Sequence, residues 1–296
     1  MLTRRKLLRN SFGLIVGGAI APHVLTSKVV AISADDVRIP PISKRTLIVV
    51  QLKGGNDGLN TLVPYDEGKY YDERRELAIP QKHVLPLNKR VGLNPAMSAF
   101  LQLWEEGVLA IVEGVGYENP NYSHFQSTHI WQTADPTSRL SEGHHGWLGR
   151  YLALEDRGSQ GFFKGLSVGR VLSNTLRGSY SAIPTVSSLN SYRLQADPKQ
   201  RQMGQLQVQA IMGLYDDSQN PGRYTQLFKN EFMSAYESSE ALIKADETYR
   251  PIAQYPDTRF AQELKLLASV ITQNLGMRVG HVTLSGFDTH AGQKEG

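Results

Sequence analysis

Two largely apolar runs, at residues 47–52 (LIVVQL) and 279–284 (VGHVTL), each lead straight into a turn of small residues that carries an aspartate. The first turn is Gly54, Gly55, Asn56, Asp57, Gly58; the second is Gly286, Phe287, Asp288, Thr289, His290. Apolar runs of this length predict strands buried on both faces, as in a parallel sheet. Ligands bind such sheets beyond the carboxyl ends of the strands, so the two turns predict one site split between distant segments. Residues 93–106, with Met97, Phe100, Leu101 and Trp104 at helical spacing, predict a helix, and residues 108–115 a buried strand. Strand, helix and strand in that order predict a βαβ unit.

Downstream, a helix is expected through Trp131, with Asn121 as its N-cap and Ser123 in its first turn. Residues 143–154 predict a glycine-rich turn entering a helix, and residues 166–186 short strand-like pieces. Residues 200–215 and 224–249 read as helical, punctuated by Pro198, the Asn220, Pro221, Gly222 turn, Pro251 and Pro256. Residues 195–256 are therefore expected to form a partly helical insertion or lid. Residues 258–275 predict an amphipathic helix with Phe260, Leu264, Leu267, Val270 and Ile271 on its apolar face. The class expected is a doubly wound, mostly parallel α/β domain spanning residues 45–296, with no internal repeat.

The amino terminus changes the picture of compartment. Arg4 and Arg5, followed by Lys6, Leu7 and Leu8 and an apolar stretch at 11–21, form a twin-arginine export signal over residues 1–31. The stretch is short for a membrane span, and cleavage is expected after Ala31. A basic amphipathic helix lying on a membrane is the plainer alternative. Residues 32–44, with Pro40 and Pro41, read as a linker. The implied partner is the twin-arginine translocase during export, with a periplasmic or extracellular destination and no stable span afterwards. Arg4, Arg5, Lys6, Arg9 and Lys28 precede Ala31 without an acidic residue, so the mature chain carries 27 basic against 28 acidic side chains. Its net charge is then about −1, which removes the electrostatic argument for nucleic acid. The chain has no cysteine, hence neither a disulfide nor a lipobox attachment.

Four motifs, GGNDGLNTLVP at 54–64, SHFQSTHIWQT at 123–133, GWLGRY at 146–151 and GFDTHAGQ at 286–293, follow that signal in order. Together they resemble the bacterial family called domain of unknown function 1501, grouped with the alkaline phosphatase and sulfatase superfamily. The resemblance implies a doubly wound sheet and a metal-assisted hydrolase of phosphate or sulfate esters. It implies that Asp57 is a metal ligand after the first strand, with Asn56 and Asn60 near substrate. Ser123 matches the nucleophile, a hydroxyl at a helix start where free amides and the helix dipole stabilise an oxyanion. Ser127 is the next nucleophile candidate, and His124 and His129 are expected to line the pocket.

Asp288 and His290, two apart on the loop leaving a strand, can turn toward one divalent ion. The mixed oxygen and nitrogen set suits zinc, manganese or iron better than calcium. His144 and His145 are a weaker pair, read first as solvated surface. Each assignment has a structural alternative: Asn56, Asp57 and Gly58 as an ordinary turn, Ser123 as a helix cap. Family members continue into a Ser, Glu, Phe, Gly motif and an Asp-His pair, which do not occur before Gly296. The chain is thus expected to be an amino-terminal part of the family domain with an incomplete ligand set. Two functions follow: an exported metal-dependent hydrolase acting on a small-molecule or glycan ester, or a non-catalytic binder of carbohydrate or a protein partner.

Overall fold

The structure, a computed structural model, describes residues 45–120, 122–139, 145–155, 164–178, 183–189, 192, 206, 208–213, 223–290 and 293. The expected export signal at 1–31 and linker at 32–44, with Asn121 and His144, lie outside them, as does most of 195–222. In chain order the elements are β1 (Leu47–Lys53), α1 (Gly58–Thr61), β2 (Leu62–Val63), α2 (Gly68–Arg74), β3 (Leu85–Pro86), β4 (Gly92–Leu93), α3 (Ser98–Glu105) and α4 (His124–Thr133). They continue with α5 (Trp147–Glu155), β5 (Gly165–Val168), β6 (Thr185–Val186), α6 (Arg223–Thr248), α7 (Arg259–Thr272) and β7 (Val279–Ser285). Residues 208–213 are also helical.

The chain is mixed α/β, built on a four-stranded parallel sheet in the order β1, β7, β5, β6. The two apolar runs are direct neighbours: Leu47 pairs with Val279, and the register holds to Lys53 opposite Ser285. Their two turns therefore leave the sheet side by side. Strand side chains alternate between faces, and the alternation sorts the core. Ile48, Leu166, Val168 and Val282 face one way and pack with Leu242 of α6 and Leu266, Leu267 and Val270 of α7. Val49 and Val279 face the other way, against Leu148 and Leu152 of α5 and Leu176. Helices thus cover both faces of β5 and β7. Strand β1, expected to be buried on both faces, has no buried residue and leaves Leu47, Val50 and Leu52 exposed, because it lies at the edge of the described sheet. A smaller antiparallel sheet, β2, β4, β3, sits over its own cluster of Val63, Tyr70 and Val84 in the excursion that follows β1.

Two further expectations are corrected. Residues 108–115 form no strand, and Val108, Val112 and Val115 are 69–78% exposed, so the early βαβ unit does not exist. The parallel partner of β1 comes from the far end of the chain instead, a pairing that local apolar spacing does not encode. The helix expected at 93–106 begins only at Ser98. Leu93 belongs to β4, and Asn94, whose side chain accepts from the Ala96 amide, caps a 3-10 turn opened by Pro95. Proline is well placed at the first position of such a turn and poorly placed inside a helix. The expected helices at 224–249 and 258–275 are present as α6 and α7, with Thr258 capping the latter through the Ala261 amide. Among the described residues no helix is long and apolar enough to cross a membrane.

Candidate functional site

The carboxyl edge of the parallel sheet opens into a cleft of about 960 Å³. Its floor comes from strands on the α5 side of the sheet: Gln51 and Lys53 of β1, Ser167 of β5, and His281 and Thr283 of β7. The first residues of α4 and the loop after β7 contribute Ser123, His124, Asp288 and His290. Arg259 and Glu263 of α7 close another side, joined by an ion pair of 2.8 Å in which Glu263 is nearly buried. The side-chain amide of Gln132 donates to the Gln51 side chain at 3.1 Å, fixing α4 to β1.

Ser123 is itself the N-cap of α4, two positions earlier in the helix than expected with Asn121 as the cap. Its Oγ accepts from the Gln126 amide at 3.4 Å, a long capping bond. At the other end of α4, Arg150 of α5 donates to the Thr133 carbonyl at 2.7 Å, placing a cation on the negative end of the helix dipole. The helix is thereby anchored at both ends, with its amino terminus in the cleft.

The loop after β1 comes close to the other site segments because it is glycine. Gly54 and Gly55 have φ of +104° and +73°, a region that costs other residues strain. A Cβ on Gly54 would lie 3.0 Å from the Asp288 backbone nitrogen, and one on Gly55 2.4 Å from the His124 ring. Asp288 Oδ1 lies 2.9 Å from His290 Nε2 and 3.8 Å from His124 Nε2. His290 has a φ of +50°, uncommon outside glycine but adopted more readily by histidine than by most residues. These three side chains, expected from widely separated motifs, do meet, and all remain substantially exposed.

The remaining candidates, His129 apart, stand outside the cleft lining. Asp57 caps α1 through the Asn60 amide and forms a two-pronged ion pair with Arg74, at 2.5 and 2.8 Å. Burial alone would raise its carboxyl pKa, but hydrogen bonds from Arg74 and Gln293, with the Arg74 charge, hold it below the usual range. Asn56 donates to Thr61 Oγ1 at 2.9 Å. Asn60 accepts from the Tyr70 hydroxyl at 2.7 Å and donates to the Leu77 carbonyl at 2.9 Å. The motif at 54–64 thus ties β1 to its excursion, and Asn56, Asp57 and Asn60 are not among the cleft-lining residues. Ser127 pairs with the Tyr117 hydroxyl at 2.8 Å, away from the lining. His129 lines the cleft but is buried, bonded to Ser138 Oγ at 2.7 Å.

Both oxygens of Asp57 are held by Arg74, and among the described residues no group of three His, Asp or Glu side chains is placed to hold a metal.

Residues not expected from the motifs also line the cleft, notably Ser173, Glu263 and His281. His281 is 1% exposed, and burial pushes its imidazole down to about 4. A histidine at the centre of an otherwise apolar strand is the one signal the sequence offered for it. No family model, no curated protein and no solved structure matches this chain.

Proposed function

We propose that this chain is an exported hydrolase of phosphate or sulfate esters, of alkaline phosphatase-like type, working at the carboxyl edge of its parallel sheet. One observation carries the reading: Ser123 at the start of α4 and the Asp288–His290 pair at the exit of β7 line one cleft. Ser123 is the nucleophile, with the helix dipole and free amides of α4 favouring an anionic phosphoryl or sulfuryl group. His124 and Lys53 supply further donors to the substrate oxygens. Asp288 orients the His290 imidazole to take and return protons. No step here is routed through a metal ion.

The test is hydrolysis of aryl phosphate and aryl sulfate by the full chain, with and without added zinc, manganese or iron. Turnover is expected to fall about a hundredfold or more in Ser123→Ala. The long capping bond predicts that this variant loses only about 0.5 kcal/mol of stability, so lost turnover reports chemistry rather than unfolding. Well-folded protein that hydrolyses neither ester would sink the reading. The Asp57–Arg74 ion pair favours a second one, non-catalytic binding of carbohydrate or a partner in the same cleft. Metal-independent ligand binding that survives Asp57→Asn, without turnover, would support it.

A further inference from the structure

Ser173 and His281 form a couple that the ester-hydrolase reading does not use. Ser173 Oγ lies 3.0 Å from His281 Nε2, and both residues line the cleft. The histidine comes from the buried centre of β7, whereas the serine sits in the half-exposed loop after β5. Serine and imidazole at this separation are the minimal arrangement of an activated hydroxyl. Three restraints hold the hydroxyl in place. The Ser173 amide donates to Ser167 Oγ at 3.3 Å, the Thr175 amide donates to Ser173 Oγ at 3.3 Å, and Ser173 Oγ donates to Thr175 Oγ1 at 3.2 Å, a bond its proton must leave to reach His281. The turn is buttressed from behind by α5. A Cβ on Gly146 would lie 2.0 Å from the Asn174 carbonyl, and one on Gly149 2.1 Å from the Arg177 carbonyl. The glycines of the GWLGRY motif therefore let α5 press directly against the turn that presents Ser173.

Val171 and Leu172 precede Ser173 in the chain and line the same cleft, with Val171 largely exposed, beside the polar Arg170 and Asn174. A serine hydroxyl paired with an imidazole is the arrangement of acyl transfer. Burial keeps the imidazole neutral at neutral pH, with a nitrogen lone pair to offer the serine, though it makes His281 a weaker base than an ordinary histidine.

We propose that Ser173, with His281 as general base, is a second nucleophile in the cleft that accepts the acyl group of carboxylic esters. Ser173 Oγ bonds to the ester carbonyl carbon while its proton passes to His281 Nε2. The carbon–oxygen bond to the alcohol then breaks, and the leaving oxygen takes that proton. Water, deprotonated by His281, attacks the acyl-serine, and the carboxylic acid departs as Ser173 recovers its proton. No oxidant, reductant or metal enters the balance.

The test is intact-mass and peptide-mapping mass spectrometry of the full chain after exposure to an alkyl fluorophosphonate, alongside hydrolysis of an aryl acetate. One reagent equivalent is expected on Ser173, and Ser173→Ala is expected to abolish both the adduct and acetate hydrolysis. His281→Gln is expected to slow labelling about a hundredfold. Should that variant fail to fold, as judged by circular dichroism, Ser173→Ala carries the decision alone. No adduct, an adduct on Ser123 or another residue, or unchanged labelling of Ser173→Ala overturns the proposal. Loss of aryl phosphate turnover in Ser123→Ala is a separate outcome, so the two readings stand or fall independently.

Discussion

His281 shows how a single buried side chain sets a property of the whole protein. Burial lowers its pKa from the ordinary 6.5 to about 4, because the charged imidazolium is costly among β1, β5 and β7. Between those values the unfolded chain binds a proton that the folded chain refuses. Folding stability therefore rises with pH through this window, and falls as pH drops from about 6.5 toward 4. The span caps the effect at roughly 3 kcal/mol. Urea unfolding at pH 7, 5.5 and 4.5 should show that loss, and His281→Gln should flatten the slope over the same range. An unchanged slope would mean that His281 is protonated within the fold. Asp57 acts in a lower window: its depressed pKa gives stability present above the usual carboxylate range and lost below it. Its place in the sequence, in a glycine-rich turn after a strand, was legible; its partner Arg74, 17 residues on, was not. A carboxylate at a turn reads the same whether it holds an ion or a guanidinium.

At the scale of elements, the legible features were those in which local spacing and packing agree. Strands β1 and β7 and helices α6 and α7 follow from apolar runs and amphipathic stripes whose faces do reach the core. The helix start at Ser123 was legible within two residues, because serine offers its oxygen to the first free amides wherever the chain turns into a helix. The GWLGRY motif was visible as sequence, but its physical purpose emerges only against the turn at 174–177. There the absence of two side chains brings α5 into backbone contact with the segment that carries Ser173. Gly149→Ala should consequently cost at least about 2 kcal/mol, since the neighbour that must yield is a carbonyl rather than a flexible side chain. Thermal unfolding measures this. A loss comparable to that of an ordinary exposed substitution would show that the turn can retreat freely. The same variant should slow fluorophosphonate labelling more than it slows aryl phosphate turnover, because α5 supports Ser173 rather than Ser123.

At the scale of the whole molecule, the site rests on a pairing between residues 47–53 and 279–285, which no local pattern could register. The sequence marked both strand ends as special, yet residues 108–115 offered an equally apolar partner much nearer in the chain. Proximity favoured the wrong choice; sheet order is decided by which faces helices can cover, and α7 covers β7 directly. The result leaves β1 at an edge of the described sheet, with Leu47, Val50 and Leu52 each more than 40% exposed. Val108, Val112 and Val115 add further apolar surface outside the core. An apolar edge strand offers unpaired amides and carbonyls to a second chain, and nothing on β1 resists such pairing except Lys53. The chain should therefore self-associate with rising concentration in sedimentation velocity. Replacing Val50 and Leu52 together by lysine should shift the population toward monomer, because like charges would then face each other across the added strand. A wild-type protein that stays monomeric at high concentration would show that the edge is protected. Equal association of the double variant would locate the contact elsewhere on the molecule.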